Sequence, residues 1–228
     1  MMQGTRHRFH ESLDHLEREL VHEGEEAATS VERAVEALVH RDSSLAALVV
    51  EGDDVIDRRY LDIESNILEV LALQTPVASD LRLVSAILHV NLHLERIGDQ
   101  AVNVAKMAIA AADLPRDEVI LSHLEEMGEV VARMVRVAMD AFSRRDLELC
   151  LRLPAMDDPV DVINRNMYRQ VLALGGDSAA LEWGIRMNVV ARHLERVGDN
   201  AVDIGEQVGF LLTGEFREFT DASHDDDH

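Results

Sequence analysis

Lysine is almost missing from this chain. Lys106 stands alone, and arginine supplies the rest of the 22 basic residues. Set against 44 acidic residues they leave a formal net charge of -22, so a phosphate backbone would be repelled and nucleic acid is excluded as a partner. The arginine bias itself reads as genome composition or salt adaptation and carries no mechanistic weight. Cysteine is just as scarce: Cys150 alone rules out an intramolecular disulfide and suits a reducing cytoplasm. No apolar run approaches the roughly eighteen residues of a membrane span, and the N-terminal MMQGTRHRFHESLDHL lacks the apolar core of a signal peptide. The expectation is a soluble, cytoplasmic chain with no membrane insertion. Four prolines and few aromatics beside an apolar content of 47% suit a helical protein rich in Ala, Leu and Val.

What the chain does have is a repeat. The stretch NLHLERIGDQAVNVAK from Asn91 to Lys106 returns as ARHLERVGDNAVDIGE from Ala191 to Glu206, and both copies hold HLER, Gly-Asp and Ala-Val. Away from this motif the halves align at an offset of 104: Gly24 with Gly128, Ala34 with Ala138, Arg41-Asp42 with Arg145-Asp146, Asp53-Asp54 with Asp157-Asp158, and Asp57 with Asp161. The offset falls to 100 in the motif, so four residues are lost from the second copy between Glu64 and Arg82. Such an echo marks one unit built twice.

Helical periodicity fills each unit. Phe9, Leu13, Leu16, Leu20, Ala27, Val31, Val35 and Leu38 step by three and four, which predicts helix one over 6–40. Asp42 is placed to cap a second helix over 43–73. Gln74, Thr75 and Pro76 break the pattern before a third helix that ends near Ala112. The second unit repeats the plan, with helices over 117–144, 147–174 and 178–212. The fifth carries Pro154 and Pro159, which kink or break a helix, and Gly175-Gly176 makes the last turn. The predicted fold is all-α, six long helices in two pseudo-symmetric three-helix bundles: residues 1–113, residues 114–214, and an acidic disordered tail over 215–228.

Within this frame the acids fall into pairs four residues apart, about 40° apart around a helix. Glu95 and Asp99 lie on the third helix, Glu195 and Asp199 on the sixth. Asp53 and Asp57 lie on the second helix, Asp157 and Asp161 on the fifth. Asn103 and Asp203 follow one turn further on as additional donors. Val84, Ile87, Leu88, Ile97 and Val102 surround the first motif pair, which predicts a buried helix, and buried carboxylates four apart repel unless cations face them. Facing acid pairs on neighbouring helices are how bundles build carboxylate metal sites, and oxygen ligands favour Mg, Ca or Mn, with carboxylate-bridged iron also reasonable. Gly98 and Gly198 precede the second acid, where a bulky neighbour would crowd a cluster. The competing reading is a solvated acidic face on a helical scaffold without metal. His93 and His193 sit roughly 200° from the acid row and read as packing or surface groups.

The residues Glu95-Arg96-Ile97-Gly98-Asp99, their copy Glu195-Arg196-Val197-Gly198-Asp199, the four-spaced aspartate pairs and PVASDLR from Pro76 to Arg82 resemble the PhoU family of phosphate-uptake regulators. The resemblance covers about residues 8–213. It implies two three-helix bundles and multinuclear clusters of iron or zinc, with Mn or Mg also proposed. One cluster would be held by Asp53, Asp57, Glu95 and Asp99, the other by Asp157, Asp161, Glu195 and Asp199. It also implies a homodimeric adaptor without turnover, partnered by the ATPase subunit of the phosphate ABC transporter and by a phosphate-sensing histidine kinase. The second unit departs by lacking PVASDLR, with Glu182 where Arg82 stands, so the two sites are expected to differ. Against an enzyme, a di-iron carboxylate oxidase needs Glu-x-x-His on two helices. Glu19 to His22 has that spacing, but the matching His123 and Glu126 do not preserve it.

Overall fold

The computed structural model describes residues 2–73 and 78–219. The predicted break at Gln74, Thr75 and Pro76, and the tail from Thr220 onward, lie outside the described residues. The helices are α1 (Met2–His40), α2 (Ser43–Leu73), α3 (Ala78–Ala111), α4 (Glu118–Arg144), the single turn α5 (Leu147–Cys150), α6 (Leu153–Ala173) and α7 (Ser178–Thr213). The predicted fifth helix is therefore two pieces. Pro154 has no N–H to give and its ring crowds the carbonyl four residues back, so α5 ends at Cys150 and Pro154 sits in the first turn of α6, while Pro159 is accommodated inside that helix.

Matched sequence makes matched local structure. After α1 and α4 the chain turns at Arg41 and Arg145, both left-handed at φ 55°. The next N–H in each case reaches back to Ala37 at 2.9 Å and to Ala141 at 3.1 Å, closing the helix C-terminus. Asp42 and Asp146 then cap the following helices: Asp42 Oδ1 accepts from the Ser44 and Leu45 amides at 3.0 and 2.9 Å, and Asp146 Oδ1 from Glu148 and Leu149 at 3.0 and 3.3 Å. Satisfying these orphan donors is worth about 1 kcal/mol per cap.

Helices α1, α2 and α3 pack as one bundle and α4, α6 and α7 as the other, with α5 against α4 and α7. The apolar stripe of each helix supplies the core: Leu16, Leu20, Ile63, Ile67, Ile87, Leu94 and Ile97 in the first bundle and Leu124, Met127, Met134 and Phe142 in the second are all but inaccessible to water. Each contributes roughly 1.5–3 kcal/mol. Leu88, expected inside, is partly exposed, as is Val189 on α7, so the apolar sector of α3 and α7 is narrower than their sequences suggest.

The bundles meet along α1 with α4 and α3 with α7, and the seam is reciprocal. A Cβ added to Gly24 would meet Met139 Cγ at 2.5 Å, and one on Gly128 would meet Val35 Cγ2 at 2.7 Å; Gly24 and Val35 are the matches of Gly128 and Met139. Across α3 and α7, His93 Nδ1 stands 2.9 Å from Asn200 Oδ1 and His193 Nδ1 stands 2.8 Å from Gln100 Oε1. Position i meeting j while j meets i is the signature of two-fold packing. The histidines thus join the units at the α3/α7 seam.

Candidate metal centres

Helices α2 and α3 present the first set of acids to one another. Asp53 is held above the usual carboxylate range by burial, then by the charges of Asp57 and Asp99. Glu95 is raised by burial, then by Asp99 and Asp57. The charges of Asp57 and Asp99 act on both Asp53 and Glu95, so the four acids occupy the same side of the α2/α3 seam. Asp57 and Asp99 are exposed, and Asp53 and Glu95 half-buried. Asn103 is also half-buried, one turn beyond Asp99.

The second set lies deeper along α6 and α7. Glu195 is only 8% exposed. Burial, then Asp199, Asp161 and Glu195, pushes the Asp157 carboxyl up to about 7. Glu195 is raised by burial and then Asp199, with Arg192 opposing; Asp199 is raised by burial, then by Asp161 and Asp203. Arg192 donates to Glu195 Oε1 and Arg165 to Asp161 at 3.0 Å. Two oxygens of this set, Asp157 Oδ1 and Glu195 Oε2, are buried with no hydrogen-bond partner. Asp203 faces both ways, raising Asp199 and standing 3.5 Å from His93 Nδ1.

The glycines explain the difference in depth. A Cβ on Gly198 would collide with Asp157 Oδ1, so the missing side chain lets the carboxylate lie on the α7 backbone. On Gly98 the same atom would meet Ile56 at 3.2 Å. There the glycine admits an apolar side chain rather than a carboxylate, contrary to the expectation that both glycines make room for acids.

A cation suits these donors by chemistry: they are all carboxylates, and buried unpartnered oxygens are costly without a positive charge. Among the described residues no three His, Cys, Asp or Glu side chains stand close enough to hold one ion as placed. Like charges with nothing between them repel, and the exposed members point to water. The Glu19/His22 pair of the di-iron alternative is otherwise engaged, Glu19 by Arg59 at 2.7 Å and His22 with Glu26 at 3.5 Å.

Sequence reasoning missed two buried polar residues of the first bundle, Glu23 and Asn91, both 0% exposed. A signal was there. Glu23 occupies the slot of the apolar stripe between Leu20 and Ala27, and its match at offset 104 is Met127; the match of Asn91 at offset 100 is Ala191.

Comparison with known proteins agrees with this architecture. The PhoU domain family matches residues 20–108 and 124–208, one match in each bundle. The chain is 32% identical over 216 residues to the phosphate-specific transport system accessory protein PhoU homolog of Caulobacter vibrioides, covering 94% of each. It is 30% identical over 219 residues to the homolog so named from Clostridium acetobutylicum, covering 95% of this chain and 100% of that one. Among solved structures, PhoU from Pseudomonas aeruginosa superimposes with a TM-score of 0.84 at 35% identity, over 91% of this chain and 100% of that one. The phosphate transport system regulatory protein PhoU from Streptococcus pneumoniae does so at 0.84 and 26% identity, over 92% and 99%. These relatives are named as accessory or regulatory proteins and not as enzymes. With both bundles matched and relatives of this identity along nearly its whole length, the chain belongs to the PhoU domain family.

Proposed function

We propose that the chain is an accessory, regulatory protein of phosphate transport that binds cations at its two acid clusters and acts as an adaptor between the ATPase subunit of a phosphate ABC transporter and a phosphate-sensing histidine kinase. The names of its relatives support the transport role. The cation reading rests chiefly on one observation, the unpartnered, buried Asp157 Oδ1 and Glu195 Oε2 inside a set of four acids. Asp157, Asp161, Glu195 and Asp199 would hold one group and Asp53, Asp57, Glu95 and Asp99 the other, with Asn103 and Asp203 at their margins. Iron or zinc follows from the family resemblance, Mn or Mg from the oxygen donors. A bound cation would supply the positive charge that offsets carboxylate repulsion. The chain's own acids then hold α2 to α3 and α6 to α7, and the outer faces of those helices become fixed surfaces for partners. The same reading takes the chain to be a cytoplasmic homodimer; no described helix is long and apolar enough to cross a membrane.

Elemental analysis of protein purified without chelator tests the cation part. Metal should be present in the wild type and reduced in Glu195→Gln with Asp199→Asn; no metal, or equal metal in both, overturns it. Co-purification with the transporter ATPase and with the kinase, alongside light scattering for the dimer, tests the adaptor part, which fails if neither partner is retained.

A further inference from the structure

Besides the acid pairs, the first bundle buries two further polar side chains completely, one of them a single turn before Glu95 on α3. Glu23 comes from α1, Asn91 from α3, and α2 contributes the Tyr60 carbonyl, to which Asn91 Nδ2 donates at 3.0 Å. That bond uses the amide's donor side toward α2 and leaves Asn91 Oδ1 without a partner; Glu23 Oε1 and Oε2 have none either. Three oxygens of these two side chains are therefore buried without a partner. The one arginine that acts on Glu23, Arg59, is already engaged by Glu19 at 2.7 Å and Glu26 at 3.0 Å. Glu95 lies near enough for its charge to act on Glu23, and the Tyr60 hydroxyl is raised by burial, then by the charges of Glu64, Glu95 and Glu23. Glu23, Tyr60 and Glu95 thus lie within electrostatic reach of one another.

Buried acceptors require donors or positive charge. A ligand that meets several oxygens at once in a closed apolar setting is a hard divalent cation. The second bundle has no such requirement, because the matching residues are Met127 and Ala191 and both are buried apolar side chains. Both polar residues thus have apolar counterparts in the second bundle.

We propose that Glu23, Asn91 and Glu95 form an inner, oxygen-donor cation position that is specific to the first bundle and extends its acid cluster toward α1. It rests on the reading of the clusters as cation sites, and its test separates the two. Mn(II) alone, titrated into the full chain and followed by electron paramagnetic resonance, gives the stoichiometry and affinity of the wild type, of Glu23→Met, of Asn91→Ala and of the second-bundle pair Glu195→Gln with Asp199→Asn. Glu23→Met carries the residue that the second bundle already uses. It should bind fewer Mn(II) than wild type and melt higher than wild type when metal-free. Asn91→Ala should weaken one class of sites by roughly tenfold, as loss of a supporting ligand does. If Glu23→Met fails to fold, Glu23→Gln keeps the shape without the charge and should show the same loss. Unchanged binding in the Glu23 variants, with fewer Mn(II) in the second-bundle pair, overturns the inner position and leaves the outer clusters standing. No binding by the wild type overturns both. An infrared band of a protonated carboxyl that is absent from Glu23→Met and persists at saturating Mn(II) identifies Glu23 as a neutral acid, and also overturns the inner position.

Discussion

The two bundles share helix order, capping turns and acid spacing, yet they bury their charge at different depths. In the second, the unpartnered oxygens belong to Asp157 and Glu195 at the α6/α7 seam. In the first, the matching Asp53 and Glu95 have no such atoms among the described residues, and the unpartnered oxygens lie further in, on Glu23 and Asn91. The glycine of each motif shows where the bundles part. Asp157 stands over Gly198, whereas Ile56 stands over Gly98, three positions later than the match of Asp157. The links 74–77 and 174–177 are equally long, whereas the stretch 43–73 is four residues longer than 147–173, so the residues missing from the second unit come out of its second helix and change by about one turn which residue faces the glycine. A repeat can therefore keep the spacing of ligands along each helix while changing which of them are enclosed.

Exchanging the inner residues should break this difference most severely. Met127→Glu puts an unpaired carboxyl at a position with 0% exposure, which should cost about 3–5 kcal/mol, and adding Ala191→Asn should restore part of the loss in Mn(II). Urea unfolding with and without metal measures both. A loss under about 1 kcal/mol would mean that the two bundles accommodate a buried acid at this slot alike.

Cations and protons should sharpen the comparison with a smaller effect. A cation at a hundredfold excess over its Kd adds about 2.7 kcal/mol, and in a chain of this length each kcal/mol moves the melting temperature by roughly 2–4 °C. The second-bundle pair Glu195→Gln with Asp199→Asn should lose more of this response than Glu95→Gln with Asp99→Asn, since the second cluster encloses its oxygens. Sodium chloride at matched ionic strength controls for the -22 charge; a response equal in all proteins is diffuse screening. Without metal the pH dependence has a definite sign. Asp157, at about 7 in the folded chain against an ordinary 3.8, binds its proton more tightly when folded. That stabilisation is fully present below the ordinary value and is lost as pH rises through about 7. The metal-free chain should melt several degrees higher at pH 5 than at pH 8, and Asp157→Asn should flatten the slope. Glu23, raised to about 8 from 4.5 mainly by burial, contributes in the same direction up to a slightly higher pH.

Much of this was legible in the sequence. The helical period and the Asp42 cap predict long helices because each depends on residues within a turn or two, and the doubled motif carries the plan of one unit over to the other. The placement of His93 and His193 off the acid row was legible for the same reason, though not that they bridge the bundles. What was not legible depends on long-range packing. The break ahead of Pro154 was bracketed without being located. The register that puts Ile56 rather than Asp53 over Gly98 is a property of two long helices packed together. Glu23 was hidden by composition: in a chain this acidic, one more glutamate on a helix reads as a solvated face unless its slot in the apolar stripe is checked against its Met127 counterpart.

The smallest expected effect lies at the two motif glycines, and it separates a packing role from a site role. Gly98→Ala places a methyl 3.2 Å from Ile56 Cδ1, the tip of a side chain that can give by a few tenths of an ångström. The gain of up to about 1 kcal/mol from replacing a mid-helix glycine should roughly balance the crowding, and the cation response should be unchanged. Gly198→Ala collides with Asp157 Oδ1 instead. Without metal the carboxylate can rotate away toward water, so the melting temperature should hold or rise slightly. With metal it cannot both rotate away and serve as a ligand, so Mn(II) affinity should fall roughly tenfold or more. Paired melts and Mn(II) titrations of the two variants distinguish these outcomes. If Gly198→Ala keeps wild-type affinity, Asp157 is not a ligand, and the second cluster must do without its most perturbed acid.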